Sequence, residues 1–101
     1  SIILKTENDL PPLPNNLILF QNYPNPFNSS TKVRYILPVS SRVSLKIYDL
    51  IGQEVRDIFE VYQNAGEYEF TLDFKNLTSG VYLYVLKTDY QSIAKKLILL
   101  K

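Results

Sequence analysis

At 101 residues with 46% apolar side chains, the chain has the length of one domain and enough apolar surface to bury a core without a metal or a disulfide. It contains no His and no Cys, which excludes the conventional Zn site, the Ser-His and Cys-His nucleophile pairs, and any group whose unperturbed pKa lies near neutrality. With 11 Lys and Arg against 10 Asp and Glu, no net field draws in nucleic acid or an anionic membrane.

Residues 1–16 contain Pro11, Pro12 and Pro14, which favour an extended backbone and cannot donate to a strand ladder. This stretch reads as a linker, with a first edge strand at residues 2–5 as the alternative. It lacks the basic, apolar and cleavage regions of a secretory signal. An exported protein of this kind is therefore expected to carry that address elsewhere, the present residues being a piece of it. The longest apolar runs, such as 97–100, fall far short of the ~20 residues of a membrane-spanning helix.

From residue 17 onward, seven short apolar runs alternate with turn signals, the pattern of an all-β, immunoglobulin-like antiparallel β-sandwich of about seven strands. The first is 17–20, followed by a rigid loop over 21–30. Residues 32–37 alternate polar and apolar until Pro38 interrupts pairing. Residues 42–48 give the clearest period of two, with Val43, Leu45 and Ile47 on the core side. Asp49 and Gly52 bracket a tight turn, so the next strand is expected to return antiparallel. That strand, 53–63, spaces Val55, Ile58, Phe59 and Val61 irregularly, which predicts a bulge or bend, or alternatively a short amphipathic helix. After the turn at Asn64, Ala65 and Gly66, residues 67–74 alternate with Tyr68, Phe70, Leu72 and Phe74 inward. Residues 81–86 are apolar on both faces, as in a central strand. Lys87 continues the line of Val81, Leu83 and Val85, so Tyr82, Tyr84 and Leu86 form the inward set. The spacing of Gly80, Tyr82 and Tyr84 resembles a tyrosine corner. Residues 92–101 close the sheet.

These elements resemble a known family. Gln21-Asn22-Tyr23-Pro24-Asn25-Pro26-Phe27-Asn28 leads through Ser30-Thr31 into the strand ending at Leu37-Pro38. Val43-x-Leu45-x-Ile47-Tyr48-Asp49-x-x-Gly52-x-x-Val55 follows, then Ala65-Gly66-x-Tyr68, then Leu77-x-Ser79-Gly80-Val81-Tyr82-x-Tyr84-x-Leu86, and finally Lys95-Lys96-Leu97 through Lys101. Together, over residues 17–101, they resemble a type A C-terminal sorting domain of the type IX secretion system. Ser29 stands where that family often has proline, and Phe74 lies where relatives often carry Trp-Asp-Gly.

The resemblance implies a non-catalytic domain, without cofactor, that docks on the type IX secretion machinery and directs an N-terminal cargo domain through the periplasm across the outer membrane. A sortase-like surface protease then cuts upstream, here within residues 6–16, and the cargo is released at the cell surface or joined to lipopolysaccharide. A monomer is expected. The residues carrying the signal, and candidates for contact with the translocon, are Tyr23, Pro24, Asn25, Pro26, Phe27, Asn28, Asp49, Gly52, Gly66, Gly80, Tyr82, Lys95, Lys96 and Lys101.

Each candidate also has a plainer reading. The Tyr23 to Asn28 loop can be an Ω-like brace in which Tyr23 and Phe27 act as pins. The three glycines are turn residues, none in a phosphate-cradling cluster. Lys95, Lys96 and Lys101 can be solvated charges guarding an edge strand. Asp49 and Asp73 show no Ca²⁺-loop spacing. Two rival functions stand beside export: a carbohydrate-binding or adhesive module with Tyr48, Tyr62 and Tyr90 as a stacking platform, and an immunoglobulin-like structural spacer similar to that of flagellar hook-capping proteins.

Overall fold

A computed structural model describes residues 16–101; the linker reading and the possible strand at 2–5 lie outside the described residues except for Asn16. Seven antiparallel strands form two packed sheets: β1 (Ile18–Leu19), β2 (Ser30–Leu37), β3 (Ser41–Tyr48), β4 (Glu54–Gln63), β5 (Gly66–Asp73), β6 (Gly80–Thr88) and β7 (Ser92–Leu99). The smaller sheet has the order β1-β2-β5 and the larger β4-β3-β6-β7, so the immunoglobulin-like sandwich read from alternation and turn spacing is the observed architecture.

Period-two patterning explains the packing. Val43, Leu45 and Ile47 of β3 are fully buried and meet Val33, Tyr35 and Leu37 of β2, Leu72 of β5, and Tyr84 and Leu86 of β6 in one core. β6 lies between β3 and β7, which is why it tolerates apolar residues on both faces, and its inward set is Tyr82, Tyr84 and Leu86 as the Lys87 argument requires. The irregularity of β4 is a bulge rather than a helix: its register against β3 shifts between Leu45 and Lys46 and again between Ile47 and Tyr48.

The turn after β4 joins strands of different sheets, so Asn64-Ala65 carries the chain across the sandwich; Phe59 and Phe70 meet edge to face at 5.3 Å along that side. One expectation needs refinement. The inward set of β5 is graded, with Leu72 and Phe74 fully buried and Tyr68 and Phe70 half-buried, since β5 is a sheet edge.

The β3–β4 turn is built as Asp49 and Gly52 suggest. Asp49 Oδ1 accepts the N–H of Ile51 at 3.0 Å and of Gln53 at 2.9 Å, and Gly52 takes φ +90°, a region open to glycine without strain. Asp49→Ala is expected to cost about 1 kcal/mol by leaving both donors to solvent, with Asp49→Asn losing less; thermal unfolding of the two variants checks this.

Candidate functional site

The loop from Gln21 to Ser29 connects β1 to β2 and occupies the outer edge of β7. Phe27 donates its N–H to Ile98 O at 2.9 Å and accepts from the Leu100 N–H at 2.8 Å, forming a parallel bridge with Leu99. Asn25 Oδ1 accepts the Ile98 N–H at 3.0 Å, and Gln21 Nε2 donates to Lys96 O at 2.7 Å. An edge strand that would otherwise present a row of free donors and acceptors is thereby covered along its C-terminal half.

What holds the loop down differs in part from expectation. Phe27 is buried at 2% exposure and packs at 5.7 Å from Phe74, so it is a pin. Tyr23 is 80% exposed; it is fixed by its backbone, which exchanges two hydrogen bonds with Lys32 at 3.0 and 2.9 Å, and this register turns its ring outward. The second anchor is a buried polar network that the motif contains but that periodicity did not single out. Asn22, 2% exposed, donates from Nδ2 to Pro24 O at 3.1 Å and to Thr31 Oγ1 at 3.0 Å, while Thr31 Oγ1 donates to Pro24 O at 2.8 Å. Tyr84, in the opposite sheet, accepts the Asn22 N–H and donates to Phe20 O, both at 2.9 Å. Pro24, Pro26 and Asn28 are exposed on the outside of the loop. Ser29, at the family's frequent proline position, accepts the Phe74 N–H through its carbonyl at 3.3 Å.

Tyr82 and Tyr84 divide the tyrosine-corner role. Tyr82 bonds locally, its hydroxyl donating to Thr78 O at 2.6 Å, with Gly80 against its ring. Tyr84 ties across the sandwich. Gly66 and Gly80 open strands β5 and β6 rather than sitting within turns.

The three C-terminal lysines do not form one cluster. Lys95 and Lys96 are adjacent on β7 and so face opposite sides of the sheet, opposite Tyr84 and Leu83 respectively. Lys101 is tied to the β5–β6 turn, its Nζ donating to Lys75 O at 2.7 Å and its N–H to Ser79 Oγ at 2.8 Å. Nor do Tyr48, Tyr62 and Tyr90 make a platform. Tyr62 lies opposite Arg42, six residues along β3 from Tyr48, a separation of ~20 Å, and the Tyr90 hydroxyl is turned onto Val39 O at 3.2 Å. Among the described residues, no group of three or more His, Cys, Asp or Glu is placed to hold a metal ion, and no helix is long and apolar enough to cross a membrane.

Two solved structures share this fold. Dimeric latent PorU from Porphyromonas gingivalis matches with a TM-score of 0.62 and 22% identity over 84% of this chain and 9% of that one. PorZ of the same organism, described as an essential bacterial surface component of the type-IX secretion system, matches with a TM-score of 0.51 and 16% identity over 86% of this chain and 12% of that one. The chain thus spans about a tenth of the length of each. No curated protein matches it. The model of the secretion system C-terminal sorting domain matches residues 21–100, a span that begins at the loop on β7 and takes in every strand from β2 onward. By that match, the chain belongs to the family of secretion system C-terminal sorting domains.

Proposed function

We propose that this folded domain is the export signal read by the type IX secretion machinery, carried as a monomer behind an N-terminal cargo that it directs across the outer membrane to the cell surface. The observation that carries the reading is the family match over residues 21–100; the two structural likenesses support the fold that the signal takes. The domain acts by being bound and performs no bond chemistry.

We place the processing point in residues 6–16. Leu17 supports this boundary: it is buried at 3% exposure and its N–H donates to Gln91 Oε1 at 3.2 Å, so a cut before it keeps this contact and every described strand in the released domain. A sortase-like surface protease would act on that stretch, with the cargo released or joined to lipopolysaccharide.

The test is a reporter fused ahead of residues 1–101 in cells that possess this secretion system. The intact fusion is expected outside the cell, with the released domain starting within residues 7–17 by N-terminal sequencing. A fusion lacking residues 92–101 is expected to remain in the periplasm, because the deletion removes β7 and with it the buried Leu97 and Leu99. Secretion of the truncated fusion at the level of the intact one overturns the reading.

A further inference from the structure

The outer faces of the two sheets are built differently. In an antiparallel sandwich the residues facing away from the core are ordinarily polar. On the smaller sheet the cations are paired: Lys32 with Glu69 at 3.9 Å and Arg34 with Glu67 at 3.4 Å, the Arg34 guanidinium also lying 4.5 Å above the Phe20 ring. On the larger sheet two cations of the β3–β4 half are paired, Arg42 with Glu60 at 3.4 Å and Lys46 with Glu54 at 3.2 Å, while Arg56 donates to the Val55 carbonyl at 2.7 Å.

The β6–β7 half breaks the pattern. Register sets Leu83 between Tyr48 and Lys96, Val85 between Lys46 and Ala94, and Val81 beside Ile98 on this outer face. The result is a continuous apolar row on the outward face whose members, Val81, Leu83, Val85 and Ile98, are half-buried, and no other strand of the described chain lies over it. Lys87 and Lys96 flank it, and neither has an ion-pair partner among the described residues. No Asp or Glu occurs in β6 or β7. Beside the row, between β3 and β6, a depression of about 340 Å³ is lined by Lys46, Val85 and Lys87 and also by two carboxylates, Asp89 and the Arg42-paired Glu60.

We infer that the β6–β7 outer face is the surface by which this domain docks, and that its partner is a protein presenting an apolar side chain or ridge between two carboxylates. Lys96 sits opposite Leu83, four residues along β6 from Lys87, so the two cations stand ~13 Å apart along the strands with Val85 and Ala94 between them and Leu83 beside Lys96. Two spaced charges around an apolar centre match the anatomy of a protein interface, with its apolar middle and charged rim. An anionic lipid surface would call for a denser run of cations. This inference rests on the export reading and deepens it by assigning the face that the machinery reads.

The test uses the reporter fusion with the full 101-residue chain. Lys87→Glu with Lys96→Glu, and separately Leu83→Ser, are each expected to lower the secreted fraction at least about tenfold, the loss that ~1.4 kcal/mol of docking energy produces. Thermal unfolding is expected to hold the charge-reversed chain within about 3 °C of the parent and to lower the Leu83→Ser chain by about 4–8 °C, since Leu83 is half-buried in a central strand but lies outside the core, so both chains stay folded. Thr71→Glu, which adds a carboxylate to the exposed face of β5, is expected to leave secretion unchanged. A parent fusion that is secreted while the folded Lys87→Glu/Lys96→Glu and Leu83→Ser variants are secreted equally well overturns the face assignment and leaves the export reading standing. Loss with the charge reversals but not with Leu83→Ser also overturns it, pointing to a diffuse anionic partner. A parent fusion that stays in the periplasm overturns both.

Discussion

Replacing Phe27 with alanine is expected to lower the stability of the domain by about 3–5 kcal/mol and its thermal midpoint by at least about 12 °C. The ring is 2% exposed and packs on Phe74, so its removal opens a cavity in the core. The backbone of the same residue is hydrogen-bonded on both sides to β7, through Ile98 O and the Leu100 N–H. Once the ring no longer holds that backbone in place, the loop lifts and the β7 edge becomes available for pairing with other chains. Loss of the thermal midpoint should therefore be accompanied by concentration-dependent association, measurable by light scattering, and by a secreted fraction that falls with the folded fraction. Tyr23→Ala provides the contrast. With its ring 80% exposed, the variant should melt within about 1–2 °C of the parent and be secreted within about twofold of it. A folded Tyr23→Ala chain that is not secreted would make the loop surface itself the contact and would displace the β6–β7 face from that role.

The contrast between Phe27 and Tyr23 also marks where the sequence stops being informative. Local rules read well: alternation orients β3, doubled apolarity centres β6, and an Asp three residues before a Gly builds the turn at Asp49 and Gly52. Each of these depends on residues within a few positions of one another. The loop's fate depends on partners far along the chain, since Phe27 bridges to Leu99 and Asn22 to Tyr84. No periodicity reports such a pairing. Two aromatic residues in one loop look equivalent as pins until the register with Lys32 turns one of them outward. The lysines fail for the opposite reason: Lys95 and Lys96 are adjacent in sequence, which suggests a cluster, yet adjacency in a strand is what separates them. The apolar outer row of β6 was visible as apolarity on both faces, but its unpaired Lys87 and Lys96 emerge only from the register and the placement of the ion pairs.

Tyr84→Phe is expected to cost about 2–4 kcal/mol, a large effect for the loss of one oxygen atom. The side chain is fully buried, and its hydroxyl serves two backbone groups at once, accepting the Asn22 N–H and donating to Phe20 O. Phenylalanine fills the same space and leaves the buried Asn22 N–H without a partner, at about 1–3 kcal/mol, and the part-buried Phe20 carbonyl without this donor, at about 1 kcal/mol. Tyr82→Phe should lose about 1 kcal/mol, because its hydroxyl serves the single, nearby Thr78 carbonyl. Alkaline titration supplies an independent readout. Burial pushes the Tyr84 phenol up to about 12, its hydrogen bond with the Asn22 backbone only partly opposing this. Burial likewise pushes up the Tyr35 phenol, which donates to Gln63 Oε1, to about 12. In the unfolded chain both ionise near ~10. Between these limits the unfolded state releases its protons first, so stability present below pH ~10 is lost as pH rises towards ~12. Removing one of the two phenols should roughly halve the steepness of that loss while lowering stability at neutral pH, and amide exchange at Asn22 should accelerate because its acceptor is gone. A Tyr84→Phe chain that keeps the parent's midpoint, alkaline slope and Asn22 protection would mean that the loop is held by Phe27 and the Asn22–Thr31 bonds alone, with no contribution from the tie across the sandwich.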